Sequence, residues 1–308
     1  MNRLRKAVQD YLTLRRSLGF KIQSAHDLLP DFASFIEGKG AQHITTEHAL
    51  EWAKRTKCGN PARWAKRLTP VRVFARHWSA VDPRTEVPPD RLLPHEYPRR
   101  SPYIFTDAAI RRLMDATRHL REARALGQST YSAFLGLLAS TGIRSGEARA
   151  LDRDDVDLAQ GLMLIRSGKF GKSRLVPLHA TACKALREYA KRRDTFAQSA
   201  KTPAFFVLHR GTRVRTGTLQ WVFRKLVGLA GLESVRPRPL LSSLRHTFAV
   251  RTLIRWYRAG VDVERQMLLL STYLGHCHLR YTYWYLSAVP ELLALAGSRL
   301  ESTLGDLP

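Results

Sequence analysis

Cysteine is scarce in this chain of 308 residues, and acidic side chains are few. Three cysteines, Cys58, Cys183 and Cys277, stand far apart. An odd, scattered set builds neither a disulfide framework nor a paired zinc knuckle, and it fits a reducing cytoplasm. No apolar run approaches the roughly 18 residues that a membrane helix needs. The start, Met1-Asn2-Arg3-Leu4-Arg5-Lys6, leads into a charged amphipathic segment and not into an apolar signal core. Walker loops, HExxH, GxSxG and CxxC pairs do not occur, and there is no internal repeat or low-complexity tract. These absences leave a cytoplasmic protein with no membrane partner and no recognisable metal or nucleotide cofactor motif.

What is abundant is positive charge. Lys and Arg number 51 against 26 Asp and Glu, a formal net charge of +25 and a pI near 10.8. The excess is spread along the chain. Residues 1–100 carry 19 basic and 10 acidic residues, and residues 101–308 carry 32 and 16. A basic tail on a neutral enzyme does not give this distribution. Both halves face a polyanion, and a nucleic acid is the leading candidate. An acidic membrane surface is the competitor, but no lipidation motif or isolated polybasic block supports it. Hydrophobic residues make up 44%, enough for one large core or two smaller ones.

Apolar periodicity predicts four short helices over residues 2–18, 24–37, 46–57 and 62–79, with Ser24 and Thr45 as helix starts and Gly19, Gly38 and Gly59 as stops. The fourth helix carries Arg63, Lys66, Arg67, Arg72 and Arg76, a basic set that suits a phosphate backbone. Taken singly, each of the five reads as an ordinary solvated charge. Pro83, Pro88, Pro89, Pro94, Pro98 and Pro102 then fall close together, so 81–102 reads as an extended linker between residues 1–80 and 103–308. Beyond it, helices are expected at about 106–117 with Asp107 as cap, at 130–140, from Ser145, and at 181–194, 217–230, 243–259, 262–274 and 290–304. Strands are expected at 162–165 and 174–178, around the glycine-bearing turn Ser167–Lys172.

Four clusters in the second part carry chemistry. In Thr141-Gly142-Ile143-Arg144-Ser145-Gly146-Glu147, glycine permits a sharp bend and places Arg144 near a helix start, where an anion is favoured. Its planar fork holds two phosphate oxygens. The turn at 167–172 offers Lys169 or Lys172 as a mobile cation. In Ser242-Ser243-Leu244-Arg245-His246-Thr247-Phe248, Leu244 and Phe248 face the core and Arg245 lies on another face, free to form the second arm of a clamp. Leu274-Gly275-His276 puts a histidine just past a helix end, with Tyr281, Tyr283 and Tyr285 beyond it. Each feature has a plain alternative: a surface arginine, a solvated turn, a helix-surface ion pair, core aromatics. Together, two arginines, a lysine, a histidine and a tyrosine form a metal-free set for attack on a phosphodiester, a reaction that needs mainly positioning and charge stabilisation.

The order Arg, Lys, Arg, His, Tyr resembles the tyrosine recombinases, or phage integrases, over nearly the whole chain. The boxes that carry the resemblance are Thr141–Glu147, Leu244-Arg245-His246-Thr247-Phe248-Ala249, and Leu274-Gly275-His276 with Tyr285 nine residues later. Thr282-Tyr283-Trp284-Tyr285-Leu286 also looks like recombinases of transposons and other mobile elements. The resemblance implies a mainly α fold: a helical, SAM-like core-binding domain at 1–80, the linker, and an α-rich catalytic domain at 103–308 with a small antiparallel β-sheet. It implies Arg144 and Arg245 on the scissile phosphate and Glu147 as a brace. Lys169 would be the general acid, with Lys172 as its alternative, and His276 would assist by hydrogen bond or proton transfer. Tyr285 would be the nucleophile, leaving a 3′-phosphotyrosyl link and a free 5′-hydroxyl. It further implies double-stranded DNA as partner, a homotetramer on paired sites (sometimes with related recombinases), a nucleoid location, and no ATP or metal cofactor. The C-terminal segment 290–304 would pass between subunits or pack on its own domain.

One position departs from the pattern. The second box usually reads His-x-x-Arg-His, and here its first position is Ser242. Serine donates a hydrogen bond but does not carry a proton at neutral pH, so reduced or altered activity is expected. A DNA-binding accessory subunit without chemistry, and a topoisomerase that only relaxes DNA, are the alternatives.

Overall fold

A computed structural model describes residues 3–20, 22–56, 59–94, 101–166, 173–196 and 202–305. The chain divides into two compact units, Met1–Arg99 and Arg100–Pro308.

The first unit is built on α1 (Arg3–Ser17), α2 (Gln23–Gly38), α3 (Thr46–Lys54) and α4 (Pro61–Trp78). Leu4, Val8, Tyr11 and Leu12 recur at helical spacing and bury one face of α1. They meet Leu29, Phe32 and Ile36 of α2 and Leu68, Val71 and Phe74 of α4. Thr45 caps α3 through the His48 N–H at 3.1 Å, and Asn60 caps α4 ahead of Pro61. The expected Ser24 cap is not used: α2 begins at Gln23, with Ile22 before it and no side-chain cap.

The proline-rich stretch is not a free spacer over its first half. The Glu86 N–H donates to the Ile44 carbonyl, and the Glu86 carboxylate accepts the Thr46 N–H, both at 2.8 Å. Arg72 donates to the Pro88 and Pro89 carbonyls, each at 2.8 Å. Proline lacks an N–H but keeps its carbonyl, so a run of prolines gives an arginine a row of acceptors. Residues 81–93 therefore pack on the helices where an extended linker was expected.

The second unit contains α5 (Asp107–Ala116), α6 (Arg124–Thr141), α7 (Ser145–Ala150), β1 (Val156–Asp157), β2 (Leu162–Ile165), β3 (Arg174–Pro177), α8 (Ala180–Phe196), α9 (Thr216–Leu229), α10 (Leu241–Arg258), α11 (Val263–Leu274), α12 (Arg280–Ala288) and α13 (Pro290–Gly305). It is mainly helical. Helix α6 buries Leu126, Tyr131, Phe134, Leu135, Leu137 and Leu138, and it packs against α5, α8 and α10. The sheet is antiparallel in the order β1-β2-β3, with Met163 opposite Val176, and Met163, Ile165 and Val176 are its buried residues. Thr106, not Asp107, caps α5, accepting the Ala109 N–H at 3.1 Å. Asp107 occupies the first helical position, where a carboxylate complements the helix dipole. Helix α12 was not anticipated, because its run of aromatics hides the period. Helix α13 lies on α10 and α12 of its own unit, with Leu292 fully buried. Arg299 donates to the Val261 carbonyl at 2.7 Å.

Candidate active site

Two glycines set the geometry. Helix α6 ends at Gly142 with φ +62°, and a Cβ there would lie 2.5 Å from the Phe248 ring. Helix α11 ends at Gly275 with φ +69°, and a Cβ there would lie 2.8 Å from the Arg174 guanidinium. Both the left-handed backbone and the close approach require glycine. The two helix ends leave carbonyls without intrahelical partners, and arginines take them. Arg245 donates to the Gly142 and Leu274 carbonyls, both at 2.9 Å, and so ties the ends of α6 and α11 together. Arg144 donates to the Gly275 carbonyl at 2.8 Å, and Arg174 to the Tyr273 carbonyl at 2.8 Å.

Glu147 is the shared counter-charge. Its carboxylate accepts the Arg144 N–H at 3.0 Å and Arg144 Nη1 at 2.7 Å. It also accepts both Nη groups of Arg174, at 3.1 and 2.8 Å. Burial alone would raise this carboxyl, but the hydrogen bonds from Arg174 and from the Arg144 backbone outweigh it and hold the pKa at about 2. Arg245 is only 8% exposed. Burial, then repulsion from Arg144, lowers its pKa to about 10, so it stays cationic at neutral pH. Three guanidinium groups thus gather around one carboxylate, which leaves a positive pocket.

His276 follows Gly275, and its Nδ1 lies 2.8 Å from the Thr282 hydroxyl. Burial, reinforced by Arg245, Arg144, His246 and Arg174, pushes its pKa down to about 3. The ring is therefore neutral throughout the physiological range. Tyr285, on α12, is 2% exposed. Its ring lies nearly parallel to that of His276, 6.4 Å away, and its hydroxyl sits 3.2 Å from His246 Nδ1.

The structure gathers Arg144, Glu147, Arg245, His276 and Tyr285 from four separate segments into one site. Lys169 and Lys172 lie outside the described residues. Ser242 is exposed on the first turn of α10 and lines a cavity of about 590 Å³ with Ser145, Thr216, Arg224 and Arg238. Two site residues were missed. Arg174 looks like a surface residue on a short strand, although it opens β3 close after the lysine-bearing segment 167–172 of the sequence. His246 sits one helical turn after Ser242, and that spacing was its signal.

In the first unit, Arg63, Lys66 and Arg76 are exposed. Arg67 and Arg72 are not free for a phosphate backbone. Arg67 lies over the Trp52 ring at 4.1 Å and 3.4 Å from Asp31, while Arg72 holds the proline carbonyls. Cation–π and carbonyl contacts inside a domain are invisible in a list of charges. Among the described residues, no group of three or more His, Cys, Asp or Glu could hold a metal ion, and no helix is long and apolar enough to cross a membrane.

The model of the phage integrase family matches residues 104–291. The chain is 45% identical over 312 residues to "Putative integrase/recombinase y4rB" of Sinorhizobium fredii (strain NBRC 101917 / NGR234), covering 99% of each. Two solved structures share the fold. One is the XerH site-specific recombinase bound to a palindromic difH substrate in a post-cleavage complex. Its TM-score is 0.65 at 18% identity, covering 89% of this chain and 78% of that one. The other is a lambda integrase tetramer bound to a Holliday junction. Its TM-score is 0.60 at 16% identity, covering 92% and 76%.

Proposed function

Because the chain belongs to the phage integrase family of tyrosine recombinases, enzymes of site-specific DNA recombination that cleave and rejoin DNA, we propose that Tyr285 cuts one strand at a phosphate held by Arg144 and Arg245. The observation that carries this reading is the cross-bracing of the helix ends at Gly142 and Gly275 by those two arginines, beside the Tyr285 phenol.

The guanidinium groups keep N–H donors beyond those spent on carbonyls and Glu147. These neutralise the extra charge that phosphorus oxygens gain as the phenol oxygen attacks. His276, being neutral, donates a hydrogen bond to a phosphate oxygen and supplies no proton. Lys169, or Lys172 three positions later, protonates the departing 5′ oxygen. The product is a 3′-phosphotyrosyl bond and a free 5′-hydroxyl. Energy of the phosphodiester is kept in that bond, so a 5′-hydroxyl from a second strand reverses the step on a new partner without ATP.

We further read the unit Met1–Arg99 as a DNA-binding domain that engages the duplex through Arg63, Lys66 and Arg76. The protein would work as a homotetramer on two sites, in the nucleoid, moving or excising a mobile element. The incomplete second box at Ser242 favours a second reading, a DNA-binding accessory subunit with no chemistry of its own.

One experiment separates the two. The protein is incubated without magnesium with nicked suicide duplexes of randomised sequence, and covalent protein–DNA adducts are collected. An adduct that disappears in Tyr285→Phe supports the recombinase. An unaffected adduct removes Tyr285 as nucleophile, and salt-sensitive binding with no adduct at all supports the accessory subunit.

A further inference from the structure

The attacking phenol must lose a proton, and the usual place to look in this family's second box is occupied by Ser242. That residue is exposed and lines the cavity with Arg224 and Arg238. Its hydroxyl takes up no proton near neutral pH. The other groups around Tyr285 are also committed. Both oxygens of Glu147 are held by Arg144 and Arg174. His276 spends Nδ1 on Thr282, and its ring lies beside the Tyr285 ring at 6.4 Å.

His246 meets the phenol itself. Its Nδ1 lies 3.2 Å from the Tyr285 hydroxyl, within reach of direct proton transfer. The ring is fixed on two sides, 5.6 Å from the Tyr285 ring at 60° and 5.6 Å from the Trp284 ring at 65°. Its backbone sits in α10 next to Arg245, which is anchored to two helix ends. We propose that His246 is the base that accepts the Tyr285 proton, taking the part that position 242 does not supply. This rests on Tyr285 being the nucleophile.

The step balances. The Tyr285 O–H bond breaks and its proton passes to His246 Nδ1, with the Nε2–H tautomer as the starting form. The phenol oxygen bonds to phosphorus while the bond from phosphorus to the 5′ oxygen breaks. That oxygen takes a proton from the general acid on the other side of the phosphate. On rejoining, His246 returns its proton to the phenol oxygen as the phosphotyrosyl bond breaks. Arg245, from α10, interacts electrostatically with the Tyr285 phenol and favours the phenolate, while Arg144 from the start of α7 and Arg174 from β3 act on the neighbouring His276. The neutral His276 ring completes the surroundings.

The test is single-turnover adduct formation by the full-length protein on nicked duplexes, followed across the neutral pH range. His246→Asn keeps a hydrogen-bonding atom near the phenol but takes no proton, and His246→Gln serves as a second variant if the first folds poorly. The expected result is a loss of about 100-fold or more, the wild-type fall in rate on the acid side replaced by a steady rise with pH, and unchanged DNA affinity. With a substrate whose 5′ oxygen is replaced by sulfur, which leaves without protonation, the deficit should persist. Its disappearance would move His246 to the leaving-group side and overturn the proposal. So would a folded His246→Asn that cleaves within about two-fold of wild type with the wild-type pH profile. A wild-type protein forming no Tyr285-dependent adduct would instead defeat the recombinase reading itself, and the proposal with it.

Discussion

Arg174 and Glu147, 27 positions apart, meet through two hydrogen bonds of 3.1 and 2.8 Å, while Arg174 Nε holds the Tyr273 carbonyl one turn before His276. This contact links β3, α7 and the end of α11. Removing Arg174 takes two of the four hydrogen bonds from a carboxylate that is 7% exposed and leaves Arg144 as its one ion-pair partner among the described residues. Arg174→Ala should cost about 3 kcal/mol in urea unfolding, and it should slow cleavage by loosening Arg144 and His276. Unchanged stability would show that the pair does not hold the site together.

The glycines give a sharper contrast. Gly275→Ala must adopt a left-handed backbone against the Arg174 guanidinium, and Gly142→Ala must do so against Phe248. Each should lose at least about 1–2 kcal/mol, read by thermal unfolding. Gly146, inside α7, has open space where a Cβ would go, so Gly146→Ala should gain up to about 1 kcal/mol.

The neutral state of His276 has a pH signature. Its pKa is about 3 in the folded protein against 6.5 ordinarily. Below 6.5 the unfolded chain binds a proton that the folded chain refuses, so stability is full above that pH and falls as pH drops toward 3. By pH 5 the loss from this group is about 2 kcal/mol. Glu147, at about 2 against 4.5, adds its own loss only below 4.5. Melting curves at several pH values should therefore show His276→Gln losing less stability between pH 6.5 and 5 than the wild type.

In the first unit the basic residues of α4 should separate into two classes. Arg63→Ala and Lys66→Ala should leave the melting temperature unchanged while each lowers the salt slope of DNA binding by about one. Arg72→Ala should lower the melting temperature, because it releases the Pro88 and Pro89 carbonyls.

Much of this architecture was readable before any coordinates. Leu4, Val8, Tyr11 and Leu12 declare α1 by their spacing. Gly142 and Gly275 declare helix ends by the backbone that only they adopt easily, which places Arg144 and His276 correctly at turns. Partnership across the chain was harder to read. Arg174 and Arg72 are single charges in sequence and become braces only when distant carbonyls arrive beside them. His246 was overshadowed by Arg245, its neighbour, until α12 brought Tyr285 against it. Helix α12 itself was hidden because Tyr281, Tyr283, Trp284 and Tyr285 crowd every face with aromatics.

The most direct measurement is the identity of the atom that carries the DNA. An adduct trapped on a nicked duplex, trimmed by nuclease and protease, can be sequenced by mass spectrometry. The account predicts a nucleotide remnant on Tyr285, joined through its 3′-phosphate. A remnant on Tyr281 or Tyr283, or one joined through a 5′-phosphate, would contradict it.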